Sequence, residues 1–378
     1  MKLAVFSLTK EGFKTARKLN KTKFSTNHNL TYFLPERQQV SATDLNIEYF
    51  NYGFKETVGQ AFLDYQGLIF IMATGIVIRV IADFIEDKKT DPAILALDDK
   101  GENVISLLSG HLGGANSLTR ELAKDISANP VITTSSDLHQ IPALEVYARE
   151  NNYLVDNFAA IKYVTRALIE KEAVALYSKE KISFQAPTLY EISDFKSKKI
   201  RPPSCYFPHK NLNWQARIII SNRKLTLTDD LPTVILRPQN LVLGLGFTSS
   251  KKTAELEAAI SLAAELAGVS LKSLTNITTS SIKQEAAALN SLAQKLDLEI
   301  KYFTKQEIER VSDQLPDSKV ARKKLDLAGV SEHTALLKAP RGKWLLRKAE
   351  FLEAVKNNNS QPGEYDISGI TVALREEC

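Results

Sequence analysis

Cysteine is scarce. Cys205 and Cys378 are the only two in 378 residues, and their spacing cannot build a metal cluster. A reducing, cytoplasmic compartment is therefore expected. No His, Cys or carboxylate spacing calls for a metal of the protein's own. Long apolar runs are missing as well. The longest, Leu68 to Ala82, is broken by Arg79 and is too short to span a bilayer. Met1 to Leu8 is too short for a signal peptide and shows no cleavage pattern. Internal repeats, low-complexity tracts and a Gly-x-Ser-x-Gly elbow are all absent. The stretch Lys179 to Lys224 is rich in Pro, Lys, Arg and aromatics, as in Arg201-Pro-Pro-Ser-Cys-Tyr-Phe-Pro-His209. It carries no RNA-binding sheet motif and no recognition helix, so a solvated, loop-rich insert is expected there. Neither a membrane nor a nucleic acid is the expected partner.

What is present is an ordinary globular composition, 44% hydrophobic and 25% charged, long enough for two or three domains. A formal charge of +5 leans towards acidic partners, of which a small polycarboxylate is one. Strands are expected at Leu3 to Leu8, Leu30 to Leu34, Gly67 to Ala73, Ala93 to Leu97, Val104 to Leu108 and Pro130 to Thr133. Helices fall between them at Glu11 to Leu19, Lys55 to Tyr65, Thr74 to Ile85 and from Ser117 onward. Asp98-Asp-Lys-Gly101 reads as a hairpin-type turn. The fold class is α/β: an N-terminal domain (1–142) with a mostly parallel sheet and flanking helices, a variable middle region (143–238), and a smaller α/β C-terminal domain (239–378).

Ligands in such sheets bind at the carboxyl ends of strands. Thr74-Gly75, Ser109 to Asn116 and Thr133-Thr134 are all expected at such ends. The second of these, Ser109-Gly-His-Leu-Gly-Gly-Ala-Asn116, reads as a strand, a glycine-rich turn and a helix start. Free N–H groups there would favour an anionic oxygen, and the glycines allow close approach. His111 adds a side chain that moves protons near neutral pH. A plain strand–helix connection with a surface histidine is the competing reading. Further along, Leu241-Val-Leu-Gly-Leu-Gly-Phe247 reads as a strand entering a Gly244-x-Gly246 turn, an incomplete dinucleotide fingerprint. Gly329 precedes a helix with Glu332 and His333 near its start, where capping by Ser331 or Glu332 competes with catalysis.

The Ser109 to Asn116 block resembles the hallmark of the cobalt-precorrin-5A hydrolases of anaerobic cobalamin biosynthesis (CbiG). Ala73-Thr-Gly-Ile-Val-Ile-Arg-Val-Ile-Ala82, Lys88-Lys-Thr-Asp-Pro-Ala93 and Pro130-Val-Ile-Thr-Thr134 match that family in the same order. The segment from Leu241 resembles its C-terminal domain. There the family's Cys and Arg after the turn are replaced by Phe247 and Thr248, with a later Lys251-Lys252.

The resemblance implies a hydrolase that opens the lactone of a cobalt-containing tetrapyrrole and releases acetaldehyde, leaving cobalt-precorrin-5B. Cobalt then travels with the substrate, the protein needs no cofactor of its own, and neighbouring pathway enzymes are candidate partners. On this reading His111 is a general base or proton donor, and Glu332 a second catalytic candidate. Backbone amides around Gly113 and Gly114 hold an oxyanion or carboxylate. Ser109, Gly110, Asn116, Thr133 and Thr134 orient the substrate, and Thr74, Gly75, Gly244 and Gly246 line its site. Arg79, Lys88 and Lys89 suit its carboxylate arms. Two alternatives stay open: a nucleotide-dependent α/β enzyme using Gly244 and Gly246, and a non-catalytic tetrapyrrole carrier.

Overall fold

Runs of apolar residues buried on both faces make the middle of the first sheet. Its strands are β1 (Lys2–Ser7), β2 (Asn29–Pro35), β3 (Ile47–Phe50), β4 (Gly67–Ile71), β5 (Ala93–Leu97), β6 (Asn103–Leu108) and β7 (Asn129–Val131), in the order β3-β2-β1-β4-β5-β6-β7. The structure is a computed structural model that describes residues 1–40, 42–51, 53–87, 90–179, 182–183, 185–192, 199–200, 212–358 and 366–377. The chain divides into two compact units, Met1–Tyr147 and Ala148–Cys378. The division expected at residue 238 falls inside the second unit, between two separate sheets.

In the first unit, helices α1 (Lys10–Leu19), α2 (Lys23–Asn27), α3 (Phe54–Asp64), α4 (Thr74–Ile81), α5 (Ala115–Ile126), α6 (Ser135–Leu138) and the start of α7 (Leu144–Glu150) accompany the sheet. Thr9 caps α1 by accepting from Gly12 N at 3.0 Å. One sheet face packs Leu3, Val5, Ile69, Ile71 and Leu95 with Phe13 and Leu19 of α1 and Leu118 and Leu122 of α5. The other packs Ala4, Phe6, Phe33 and Phe70 with Val58 and Phe62 of α3 and Val77 and Val80 of α4. There Phe6 stacks between Phe33 and Phe70, at centroid distances of 4.7 and 5.1 Å. The expected helix through Ile85 ends at Ile81 and continues as one 3₁₀ turn, while β3 and α2 had no clear sequence signal.

Direction matters more than order. β1 to β5 run parallel, but β6 pairs antiparallel with β5, and β7 runs parallel to β6. The loops after β6 and β7 therefore emerge at the edge where β4 and β5 begin. Thr74, Gly75 and Arg79 follow the carboxyl end of β4, at the opposite edge. Five residues of strand, each rising about 3.3 Å, separate the two groups. The expected convergence of all three strand ends does not occur.

The second unit holds two larger sheets. In the first, β8 (Tyr153–Val155), β9 (Ala173–Tyr177), β10 (Leu189–Ile192), β12 (Trp214–Ile220) and β14 (Thr233–Pro238) adopt the order β10-β9-β12-β14-β8, beside α8 (Ile161–Ile169). A small pair, β11 (Lys199–Ile200) and β13 (Thr226–Leu227), lies apart. The loop-rich insert expected over Lys179 to Lys224 thus contains strands, because Ala216 to Ile220 are all buried and, Arg217 apart, apolar. The Arg201 to His209 stretch, including Cys205, lies outside the described residues, as do Lys88, Lys89 and Cys378.

The second sheet comprises β15 (Leu241–Phe247), β16 (Leu274–Ser280), β17 (Glu299–Phe303), β18 (Lys343–Leu346) and β19 (Ile370–Glu376), ordered β17-β16-β15-β19-β18. Its helices are α9 (Thr253–Ala267), α10 (Ala287–Leu296), α11 (Lys305–Glu309), α12 (Lys319–Leu325), α13 (Ser331–Lys338) and α14 (Lys348–Asn358). A 3₁₀ turn, Ser281–Lys283, follows β16. Asn222 joins this unit's sheets, donating to Asn240 Oδ1 at 3.1 Å and Glu376 Oε1 at 2.6 Å.

Gly244 and Gly246 are not in a turn. Both lie inside β15, paired with Ala373 and Thr371 of β19. A Cβ on Gly244 would stand 1.8 Å from the Ser331 carbonyl oxygen, and one on Gly246 would stand 2.5 Å from Thr371 Oγ1. Glycine is required because α13 lies directly on β15, and that helix fills the place a phosphate would need. Gly244→Ala should therefore lower the unfolding free energy of the second unit by about 1–3 kcal/mol or more, read as a fall in the denaturant midpoint. An unchanged midpoint would remove the packing explanation.

Candidate active site

The loop between β6 and α5 is folded on itself. Ala115 N donates to Ser109 O at 3.2 Å, Asn116 N to Gly110 O at 3.0 Å, and Gly114 N to His111 O at 3.1 Å. Of the amides expected to hold an oxyanion, that of Gly114 is thus spent within the loop. Gly114 takes φ +89° at the α5 N-cap, and a Cβ on Gly113 would stand 2.4 Å from Ser109 Cβ. Ser109 itself sits at φ +56°, a left-handed conformation uncommon for a residue with a side chain. Its buried hydroxyl has no hydrogen-bond partner among the described residues.

This fold presents His111 to two carboxylates. Nδ1 lies 3.1 Å from Glu145 Oε1, and Nε2 lies 3.2 Å from Asp137 Oδ2 and 3.0 Å from Ser136 Oγ. Asp137 comes from α6, just after β7, and Glu145 from the first turn of α7. Asn116 fixes the arrangement from behind, donating to Asp137 Oδ2 at 2.7 Å and Thr134 Oγ1 at 3.1 Å, while Ser106 donates to its Oδ1 at 2.7 Å. Arg120 pairs with the other oxygen of Asp137.

The charges follow from this geometry. The hydrogen bond to Glu145 raises the His111 pKa most, burial opposes it, and the charges of Glu145 and Asp137 add to the rise. Burial works against the Asp137 carboxylate, but Arg120, Asn116 and His111 outweigh it and hold its pKa below the usual range.

A cavity of about 160 Å³ opens here, lined by Ser109, Gly110, His111, Leu112, Thr134 and Glu145. Of the residues singled out in sequence, it thus gathers Ser109, Gly110, His111 and Thr134, with Asn116 and Gly113 supporting the wall. Thr133 is exposed at the same edge. Thr74, Gly75 and Arg79 stand apart, and Arg79 donates to Gly75 O at 2.9 Å. Asp137, Glu145 and Ser136 went unnoticed in the sequence. An acid six residues past a strand end, or in a helix first turn, was the available signal.

In the second unit, Glu332 is 6% exposed and its Oε1 accepts from Arg347 Nε and from Lys348 N at 3.4 Å. No side chain caps α13, so neither Ser331 nor Glu332 has the expected capping bond. Burial lowers the pKa of His333, and its Nε2 has no partner among the described residues.

An α/β protein with an imidazole clamped between carboxylates at a strand-end cavity is a candidate for acid–base catalysis. Residues 56–137 match the description Cobalamin synthesis G N-terminal, 142–238 the Cobalamin biosynthesis central region, and 241–375 the Cobalamin synthesis G C-terminus. The cobalt-precorrin-5A hydrolase of Priestia megaterium is 32% identical over 341 residues, covering 88% of this chain and 88% of its own length. That of Salmonella typhimurium is 34% identical over 307 residues, covering 80% of this chain and 82% of its own. A solved cobalamin biosynthesis protein G homolog from Sulfolobus solfataricus is 20% identical, covers 100% of this chain and 97% of its own, and gives a TM-score of 0.37. The chain belongs to the cobalamin synthesis G family.

Because the His111 pKa is raised in the folded state, its protonation stabilises the first unit fully below the ordinary histidine value of 6.5. That contribution is lost as pH rises through the elevated folded value. Glu145→Gln should return the imidazole titration, followed by NMR, towards the ordinary value. A parent His111 that already titrates there would contradict the clamp.

Proposed function

We propose that this chain is a cobalt-precorrin-5A hydrolase, opening the substrate lactone and releasing the two-carbon fragment as acetaldehyde to leave cobalt-precorrin-5B. The observation that carries the chemistry is the His111 imidazole held between Glu145 and Asp137 on the cavity wall. Lactone hydrolysis needs a base for the attacking water, an acid for the departing ring oxygen, and donors for the developing oxyanion.

Glu145 accepts a proton from water as it adds to the acyl carbon. The His111 imidazolium gives a proton to the ring oxygen as the acyl–oxygen bond breaks. Glu145 then loses its proton to solvent water and the imidazole takes one up, which resets the pair. Asp137 keeps the imidazole charged and oriented. Hydroxyls replace the expected amides as oxyanion donors: Ser109 has an uncommitted O–H, and Thr134 accepts from Asn116 and so directs its own proton elsewhere. The following carbon–carbon cleavage places its electrons in the conjugated macrocycle, whose cobalt arrives with the substrate, so the reading asks for no metal of the protein's own.

A cavity of about 160 Å³ admits the lactone edge and a water rather than the entire ring system. Glu332, occupied by Arg347 and Lys348, acts in this reading as a buried structural anion rather than a catalyst. The nucleotide reading loses its motif, because α13 occupies the space over Gly244, and Thr371 and Val330 that over Gly246.

His111→Ala should cut acetaldehyde release from cobalt-precorrin-5A by about a hundred- to ten-thousandfold with corrinoid binding nearly intact. His111→Gln, which hydrogen-bonds but carries no transferable proton, should not rescue it, and Glu145→Gln should be similarly slow. Parent-like turnover by the histidine variants would return His111 to a structural role. A parent protein that binds the substrate unchanged would support the carrier reading instead.

A further inference from the structure

The second unit contains a buried cation that none of the described residues neutralises. Arg217 is fully buried and pairs with Asp229 at 2.6 Å, and Arg237 pairs with Asp156 at 3.0 Å. Arg375 donates to the carbonyls of Ala339 and Pro340 and lies over the Trp344 ring. Lys283 is also buried, 8% exposed, yet it has no carboxylate partner among the described residues. Its Nζ donates to Ser249 Oγ at 2.8 Å and stands 4.9 Å from the centre of the Phe247 ring. An ammonium has three donors, and burial without a counter-ion disfavours its charge. Burial alone accordingly pushes the Lys283 pKa down.

The location is that of a ligand edge. β15 and β16 run parallel, as do β16 and β17, and Lys283 closes the turn after β16 at their carboxyl ends. Ser249 is exposed and Lys283 lies beneath it, so an incoming group meets the hydroxyl and the ammonium together. Lys251, the nearby cation, is already held by Glu255 and Asp366, each at 2.9 Å. Phosphate suits the edge poorly. The start of α9 is already capped by an anion, since Glu255 Oε2 accepts from Lys252 N at 2.7 Å, and that charge repels a dianion. One ammonium and one hydroxyl match a monoanion.

We propose that Lys283 and Ser249 form a carboxylate-binding subsite that takes an acetate or propionate arm of the tetrapyrrole. The identity of that ligand rests on the hydrolase reading above. A carboxylate there supplies the missing counter-ion, so the lysine is poorly placed for stability alone and well placed for binding.

Binding of cobyrinic acid, with free carboxylates, and of its heptamethyl ester should be measured with the full chain by absorbance titration. Lys283→Met should weaken the acid about ten- to a hundredfold and leave the ester unchanged. Lys283→Arg should keep the affinity for the acid within a few-fold. The melting temperature of Lys283→Met should equal or exceed that of the parent, since an apolar isostere removes an unpaired buried charge. Parent-like affinity of Lys283→Met for the acid would overturn the proposal, as would a fall in its melting temperature without a binding change. A parent that binds neither probe would contradict the hydrolase reading and this inference with it.

Discussion

The reversal of the chain between Leu97 and Asn103 decides what the first unit can bring together. The Asp98 carboxylate accepts from the backbone N–H groups of Lys100 at 3.0 Å, Glu102 at 3.2 Å and Asn103 at 2.7 Å, and Gly101 turns at φ +72°. Burial opposes the Asp98 charge, but these bonds outweigh it and keep its pKa low. β6 then runs back beside β5, and β7 follows β6. Their two loops leave the sheet at one edge, which sets His111 against Asp137, and α7 adds Glu145. With β6 running the other way, the glycine loop would emerge beside Thr74, away from those carboxylates.

Much of this was legible in the sequence, and the limits have physical causes. Strands buried on both faces, such as Gly67 to Ile71 and Ala93 to Leu97, read as uninterrupted apolar runs, and the Asp98–Gly101 turn was recognisable. The glycine loop with His111 was visible as a motif. The partners of His111 were not, because Asp137 lies 26 residues on and Glu145 lies 34. Nothing in a single sequence tells which carboxylate a fold will bring to an imidazole. Gly244 and Gly246 were misread for a related reason. A glycine that admits a helix against a strand looks the same in sequence as one that makes a turn. A helix start offers free N–H groups only where the preceding loop does not claim them, and here Ser109, Gly110 and His111 accept from Ala115, Asn116 and Gly114.

Charge is handled differently in the two units. In the first, two carboxylates flank one histidine and favour its protonated form. In the second, His333 is buried without that help, and burial favours its neutral form. The same residue type is thus favoured in its charged form in one place and in its neutral form in the other. Lys283 inverts the first case, being a buried cation with no carboxylate partner among the described residues. Family membership accounts for the succession of three matched regions, and the local electrostatics indicate which side chains have unfinished chemistry.

The central claim, that a charged His111 works as the acid beside an ionised Glu145, is tested most directly by the pH dependence of kcat for acetaldehyde release from cobalt-precorrin-5A. The rate should fall as pH rises through the elevated His111 pKa, because the proton donor is lost there. Glu145→Gln should retain only residual turnover whose alkaline limb is shifted to lower pH. A rate that instead rises through that range, as a neutral imidazole base would require, would contradict the account.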